Sequence, residues 1–429
     1  MKHSRGAAEL FLRAVLSALV VVIGISVAPM HAQNFNVIYS FTGNLDGGNP
    51  PNGLSMDGNG TFYGTTSWGG RHGGNCGANG CGAVFALVHS NSGWQLTPLY
   101  NFLGGNDGLF PPTRVVPARD GRLYGVTQTG GGGPCQGRNG NGCGTVFQLS
   151  PAAPLCRNSH CFRAETVLYR FQGGADGAYP EGEIVFDQAG NLYGTTSGGG
   201  SSGCSGGCGV VYELTPLNGG WTQSVLYSFA GGEDGSHPDA RVTFDGFGNL
   251  YGTTMRGGTA DCGTVFQLTP SQSGWTKKTV YEFTCGNDGG YPVVGIIFDQ
   301  SGNLFGATLD GGENGGGTVF KLVPSGNTWI FSLVYSLTGF GFSGPGGDLV
   351  FNNGNLYGTT SADGINSLGN VFELSPSGGD WIYTSLYDFG GGNDGGAPFS
   401  NLIFDGNGNM YGTALNGHFG FGNVFQITP

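Results

Sequence analysis

Val225-Leu226-Tyr227-Ser228-Phe229, then Gly248-Asn249-Leu250-Tyr251-Gly252-Thr253-Thr254, then Gly263-Thr264-Val265-Phe266-Gln267-Leu268-Thr269-Pro270 is the stretch that decides the fold. The same order of segments recurs seven times along the 429 residues, and a period of this size is the mark of a repeat architecture. The spacing within the unit is nearly constant. Nine positions separate the strand-closing Phe from a Pro in Phe171 to Pro180, Phe229 to Pro238, Phe283 to Pro292 and Phe389 to Pro398. Each unit holds four short β-branched and aromatic runs bounded by Gly, Asn, Asp and Pro, which reads as four strands joined by turns. We name them a (Ile-Val-Phe-Asp), b (Asn-Leu-Tyr-Gly-Thr-Thr), c (Gly-Thr-Val-Phe-Gln-Leu) and d (Val-Leu-Tyr-Ser-Phe). Between a and b, Asp187 to Asn191 and Asp245 to Asn249 supply a turn with a residue tolerant of positive φ.

Four antiparallel strands repeated radially make a β-propeller. The chain opens on a lone d, Val37-Ile38-Tyr39-Ser40-Phe41, and stops after a final c, Val424-Phe425-Gln426-Ile427-Thr428. The expectation is an all-β, seven-bladed propeller whose N-terminal strand completes the last blade and leaves no free sheet edge. A parallel β-helix, the rival architecture, uses shorter turns than these units.

Glycine supplies 89 residues, yet the periodic apolar strands overrule a low-complexity reading. Only 10% of residues are charged and the net charge is −12, so there is no electrostatic footprint for nucleic acid. Lys2, Arg5 and Arg13, an apolar stretch from Ala14 to Ala28 and Ala32 before Gln33 read as a secretory leader over residues 1–32. That leaves residues 33–429 as one propeller domain with no membrane span. An uncleaved anchor is the weaker alternative, because the apolar run is short for a span. Secretion or display at the cell surface then makes disulfides of the ten cysteines. Cys76/Cys81, Cys135/Cys143, Cys156/Cys161 and Cys204/Cys208 lie close together within single loops, leaving Cys262 and Cys285. If strands c and d of blade four place Phe266 opposite Tyr281, the same register sets Cys262 opposite Cys285. A zinc reading is open, but no pair has tight Cys-x-x-Cys spacing with a matching partner.

Gly-Asn-Leu-Tyr-Gly-Thr-Thr followed by Gly-Thr-Val-Phe-Gln-Leu-Thr-Pro resembles the GloVer tandem repeat of exported bacterial proteins, over essentially the whole chain beyond residue 32. The shorter Asp-x-x-Gly-Asn-Leu-Tyr core is similar to NHL-type propeller repeats. The resemblance implies an exported or surface repeat protein and brings no catalytic residues with it. It also implies varied C-terminal sorting anchors, from which this chain departs by ending at Pro429 within the last blade.

Function is sought where the blades differ. From the b-strand aromatic to the c-strand aromatic the distance is fifteen in blades four to six, as in Tyr251 to Phe266, and fourteen in blade seven, Tyr411 to Phe425. It grows to twenty-two, twenty-three and nineteen in blades one to three. In a four-stranded blade the b–c and d–a loops share one face, and loops on a rigid scaffold concentrate binding residues. Tolerated insertions are the competing explanation. Trp94, Trp221, Trp275, Trp329 and Trp381 fall at one repeat position, whereas Trp68 is off-repeat in the long first b–c loop beside Arg71 and His72. An exposed Trp there would suit stacking on a sugar ring, and its alternative role is to cover the loop. Trp68, Arg71, His72 and Arg138 are the candidate ligand-binding residues. Asp46, Asp107, Asp176, Asp234, Asp288 and Asp394 recur before Gly in the d–a loops. A carboxylate ring could hold Ca²⁺, but an Asp bonding its own turn backbone is the preferred reading.

His72, His89, His160, His237 and His418 are scattered, and neither a Gly-x-Ser-x-Gly nor a His-Glu-x-x-His motif occurs. The resulting expectation is a monomeric, non-enzymatic, cofactor-free secreted propeller. It would bind an extracellular polymer such as a glycan, or a partner protein, through the loop face of blades one to three. An extracellular lyase or hydrolase using carboxylates and His72 is the alternative, and a purely structural surface protein the third.

Overall fold

A computed structural model describes residues 33–137, 140–151 and 162–429. Seven four-stranded antiparallel sheets follow one another in the order a-b-c-d, with a fifth short strand, Ala178–Pro180, added to blade three. Blade four is representative, with strands Thr243–Phe244, Leu250–Thr254, Thr264–Ser271 and Gly274–Glu282. The a–b turn is built as its composition requires. Asp245 Oδ1 accepts the N–H groups of Phe247 and Asn249, while Gly248 takes φ +85°.

Blade seven is made from both ends of the described chain. Ile403–Phe404, Met410–Ala414 and Asn423–Thr428 are completed by Asn34–Ser40, with Val37 opposite Phe425 and Tyr39 opposite Val424. The expected closure by the N-terminal strand is therefore present, and it leaves no unpaired edge at the seam.

Aromatic rings weld each blade to the next. The Phe that closes one d strand meets the c-strand ring of the following blade edge to face, with centroids 5.1 Å apart for Phe229 and Phe266 and 5.2 Å for Phe41 and Phe85. The Gly in the b-strand motif makes room for that ring. Gly252 lies opposite Phe266, and a Cβ on it would fall 2.6 Å from the ring. Full burial of Phe85, Phe147, Phe266, Phe320 and their equivalents contributes about 1.5–3 kcal/mol each. The repeat-encoded tryptophans reach backwards instead. Trp94, Trp221, Trp329 and Trp381 lie against Tyr411, Tyr124, Tyr251 and Phe305 of the preceding blades.

One expectation about register is corrected. Every c–d pair carries a bulge, and in blade four Val265 lies opposite Tyr281 while Phe266 lies opposite Thr279. The extra residue is Val280, so Cys262 does not stand directly across from Cys285. The bridge forms nonetheless, with Cα atoms 5.5 Å apart and Cys285 at φ +57°. Cys76–Cys81, Cys135–Cys143 and Cys204–Cys208 are also bonded, and no described cysteine is free. Cys156 and Cys161 lie outside the described residues, as do Arg138 and the expected leader over residues 1–32. Among the described residues no helix is long and apolar enough to cross a membrane.

Candidate functional site

The b–c and d–a loops do share a face. In most blades they are tied by a short bridge, as between Gly48 and Trp68, Leu109 and Thr129, Ser236 and Arg256, or Gly396 and Asn416. The loop carboxylates prove to be turn caps. Asp46, Asp107, Asp176, Asp234, Asp288 and Asp394 each accept the backbone N–H four residues earlier and the Tyr hydroxyl seven residues earlier. In the loop leading to blade six, which lacks this Asp, Asp363 of the b–c loop takes over and accepts the N–H and hydroxyl of Thr338. The six carboxylates thus cap their own turns, Asp234 also pairing with Lys277 of the next blade, and among the described residues no group of three or more His, Cys, Asp or Glu is placed to hold a metal.

The cysteines have a structural duty that their spacing does not reveal. Cys81, Cys143, Cys208 and Cys262 each offer a carbonyl to the N–H of the residue before the Pro of the next blade, namely Phe110, Tyr179, His237 and Tyr291. Those four residues sit at φ between +57° and +60°, a left-handed conformation that non-glycine residues rarely adopt. The disulfides therefore brace the stitches between blades one to five.

Of the residues proposed from the sequence, Trp68 is half-buried. Its backbone pairs with Gly48, and this draws the loop down onto the d–a segment. Arg71 and His72 are exposed. The His72 ring is a loop staple, with Nδ1 3.0 Å from the Ala78 carbonyl and Nε2 3.0 Å from that of Gly43. Arg71 opens into a hollow of about 460 Å³ between blades one and two, walled by Leu45, Tyr100, Asn101, Leu103, Phe162 and Arg163. Asn101 Oδ1 is buried there without a partner among the described residues, and Leu45, Leu103 and Phe162 are exposed apolar side chains. The adjoining Glu165 carboxyl is pushed up to about 8 by burial and by the Asp107 charge, and Arg71 and Arg163 are the cations that line the hollow.

A second feature went unnoticed in the sequence. One small cavity, of about 40 Å³, is lined by residues from all seven blades, among them Asn52, Thr113, Glu183, Arg241, Val293, Asp348 and Asn401, and so lies on the propeller axis. Its side chains come from the first to third residues after the Pro of each repeat. On the third, Arg114 binds Glu183 with Nε 2.6 Å from Oε2, and Arg241 binds Asp348. Arg241 spans from blade four to blade six across Gly295, where a Cβ would lie 2.7 Å from Arg241 Cγ. Gly295 also donates its N–H to Asp348 Oδ1 at 2.6 Å. Burial alone would raise the Asp348 carboxyl, but Arg241, the more distant Arg114 and the Gly295 N–H outweigh it and hold the group below the usual carboxylate range.

A signal for the Arg71 hollow was present in the sequence. Arg71, Arg114, Arg119, Arg122, Arg138, Arg157, Arg163 and Arg170 fall within one hundred residues that contain only Asp107, Asp120 and Glu165 as acids, in a chain of net charge −12. The basic sector coincides with blades one and two, where the b–c loops are longest.

Comparison with known proteins finds the model of the Gloeobacter/Verrucomicrobia repeat over residues 25–204, 135–300 and 278–429. No curated protein matches the chain. Similar solved structures include a protein assigned as a 6-phosphogluconolactonase from Bacteroides uniformis, at 13% identity and TM-score 0.48, covering 78% of this chain and 85% of that one. A protein assigned as an oxidoreductase (glucose dehydrogenase) from Thermus thermophilus has 16% identity and TM-score 0.45, covering 92% and 100%. A protein of unknown function from Dyadobacter fermentans has 10% identity and TM-score 0.45, covering 93% and 99%. Likeness at this level carries no argument about activity.

Proposed function

The chain belongs to the Gloeobacter/Verrucomicrobia repeat family, and from that premise we propose that it is an exported, non-enzymatic binding propeller whose loop face over blades one and two holds an acidic extracellular glycan. The observation that carries this reading is the hollow beside Arg71, which joins an exposed guanidinium to a Tyr, an amide and apolar walls within the one basic sector of an acidic protein. Sugar recognition needs that combination: a flat apolar surface for the ring, an amide for hydroxyls and a cation for a uronate or sulfate. The four described disulfides support passage through an oxidising compartment.

The test is a panel of immobilised neutral, uronic-acid and sulfated glycans probed with the purified chain. Acidic glycans should be retained without turnover, retention should fall as salt rises, and Arg71→Ala should weaken it about tenfold. Trp68→Ala should act less, because that ring is half-buried. Equal retention of neutral glycans, or full affinity in Arg71→Ala, would refute the assignment, and product formation would favour a hydrolase or lyase.

A further inference from the structure

The axial cavity holds a charge imbalance that its own arginines do not resolve. Glu181 and Asp239 occupy the same repeat position, one residue after the Pro of blades three and four, and both line the cavity. The nearby guanidiniums are already committed, Arg114 to Glu183 and Arg241 to Asp348. Glu181 is held in place by one oxygen, which accepts from Gln128 Nε2 at 2.8 Å and from the Ser197 hydroxyl at 3.1 Å. Asp239 Oδ1 is withdrawn from solvent and has no hydrogen-bond partner among the described residues. Two further oxygens share that condition. Thr113 Oγ1 and Asn401 Oδ1 are buried without partners, on side chains only 4% and 7% exposed, and both residues line the same cavity.

Two neighbouring carboxyls in such a place can share a proton or bind a cation. Burial raises both, and the charge of Glu181 adds to the rise at Asp239. A shared proton would relieve that repulsion, yet it would leave the Thr113 and Asn401 oxygens unpaired around empty space. A cavity of about 40 Å³ admits an ion with one or two waters, since each water centre needs roughly 10–15 Å³. The unpartnered donors are all oxygens, which selects a hard cation, and ligands from separate chain segments completed by water suit the flexible coordination of Ca²⁺ better than the strict octahedron of Mg²⁺.

We propose that Glu181 and Asp239 bind a divalent hard cation, Ca²⁺ by preference, on the propeller axis and so tie blades three and four together. The proposal is independent of the glycan reading, because the cavity is distinct from the Arg71 hollow.

The full chain, stripped with a chelator and dialysed, is titrated with CaCl₂ and separately with MgCl₂ at constant ionic strength. Bound metal and thermal unfolding are then measured. The expected result is one Ca²⁺ per chain and a saturable rise in Tm of several degrees, weaker with Mg²⁺, both lost in Asp239→Asn and in Glu181→Gln. Asp239→Asn that is more stable than the wild type without metal, in a protein indifferent to Ca²⁺, would show a shared proton and overturn the proposal. Retention of the full response in both variants would place the ion elsewhere and equally overturn it. If either variant fails to fold, the stoichiometry of the wild-type protein decides, and no bound Ca²⁺ at about millimolar concentration is a negative result.

Discussion

Glu165→Gln should stabilise this protein at pH 8 and leave it nearly unchanged at pH 4. Glu165 opens strand d of blade two, Glu165–Arg170, opposite Leu149. The corresponding residue in blades three to seven bonds or stacks with the preceding blade. Gln223 donates to the Asp176 carbonyl, Lys277 donates to Asp234 Oδ1 at 2.9 Å, and Phe331, Tyr383 and Phe35 stack on Tyr281, Tyr335 and Tyr387. Blade two instead sets Glu165 beside Asp107, with Tyr100 on the same side and only Arg170 opposing, and Glu165 Oε1 is buried without a partner among the described residues. Its pKa rises from 4.5 to about 8, through burial first and Asp107 second. A carboxyl raised on folding binds its proton more tightly in the folded state, so the stability it allows is fully present below pH 4.5 and is lost as the pH rises towards 8. At about 1.36 kcal/mol per pH unit the ceiling at pH 7 is about 3 kcal/mol. Solvent screening of this partly exposed group brings it to about 1–2 kcal/mol, or about 1–3 °C in Tm for a domain of this size. Glu165→Lys should gain more, by reproducing the Lys277 contact against Asp107. Calorimetric Tm of wild type and both variants from pH 4 to 9 is the assay. Parallel curves for wild type and Glu165→Gln across that range would refute the reasoning.

Three further outcomes are expected. Deleting residues 33–42 removes the closing strand of blade seven and exposes the edge of Asn423–Thr428; size-exclusion chromatography should show aggregation, or scanning calorimetry a sharply lower Tm, and an unchanged monomer would contradict the closure. Asp348→Ala leaves the Arg241 guanidinium buried and unpaired, so the urea midpoint should fall by the equivalent of about 3 kcal/mol, whereas the Arg241→Met/Asp348→Leu double variant should recover most of that loss. Non-reducing peptide mapping should recover Cys262 linked to Cys285, and a free thiol at either position would be inconsistent with the observed bridge.

The strands, their number and the closure of the ring were legible in the sequence because each rests on local periodicity. An apolar residue, an aromatic and Gly, as in Leu250-Tyr251-Gly252, recur in every unit ahead of an aromatic c strand such as that of Phe266, and an unmatched d at one end answers a missing d at the other. The pairing of Cys76 with Cys81, Cys135 with Cys143 and Cys204 with Cys208 was legible for the same reason. The register of strands c and d was not, since Val280 bulges out of a ladder whose residue types do not announce it. The carboxylate caps were half legible. Asp46 and its equivalents sit in turns by composition and accept the hydroxyl of the Tyr seven residues earlier on the strand entering the turn, whereas the substitute role of Asp363 depends on two loops meeting. Trp68 looked exceptional for being off-repeat, yet its half-burial is set by the bridge to Gly48, twenty residues away. The axial cavity was wholly a product of the ring. Arg241 and Asp348 are separated by 107 positions, and Glu181 and Asp239 by a full repeat, so no local window joins them. They share a repeat position, and closing seven blades around one axis turns equal positions in sequence into neighbours in space. That is how a chain that is only 10% charged comes to gather two ion pairs and two uncompensated carboxyls at its centre.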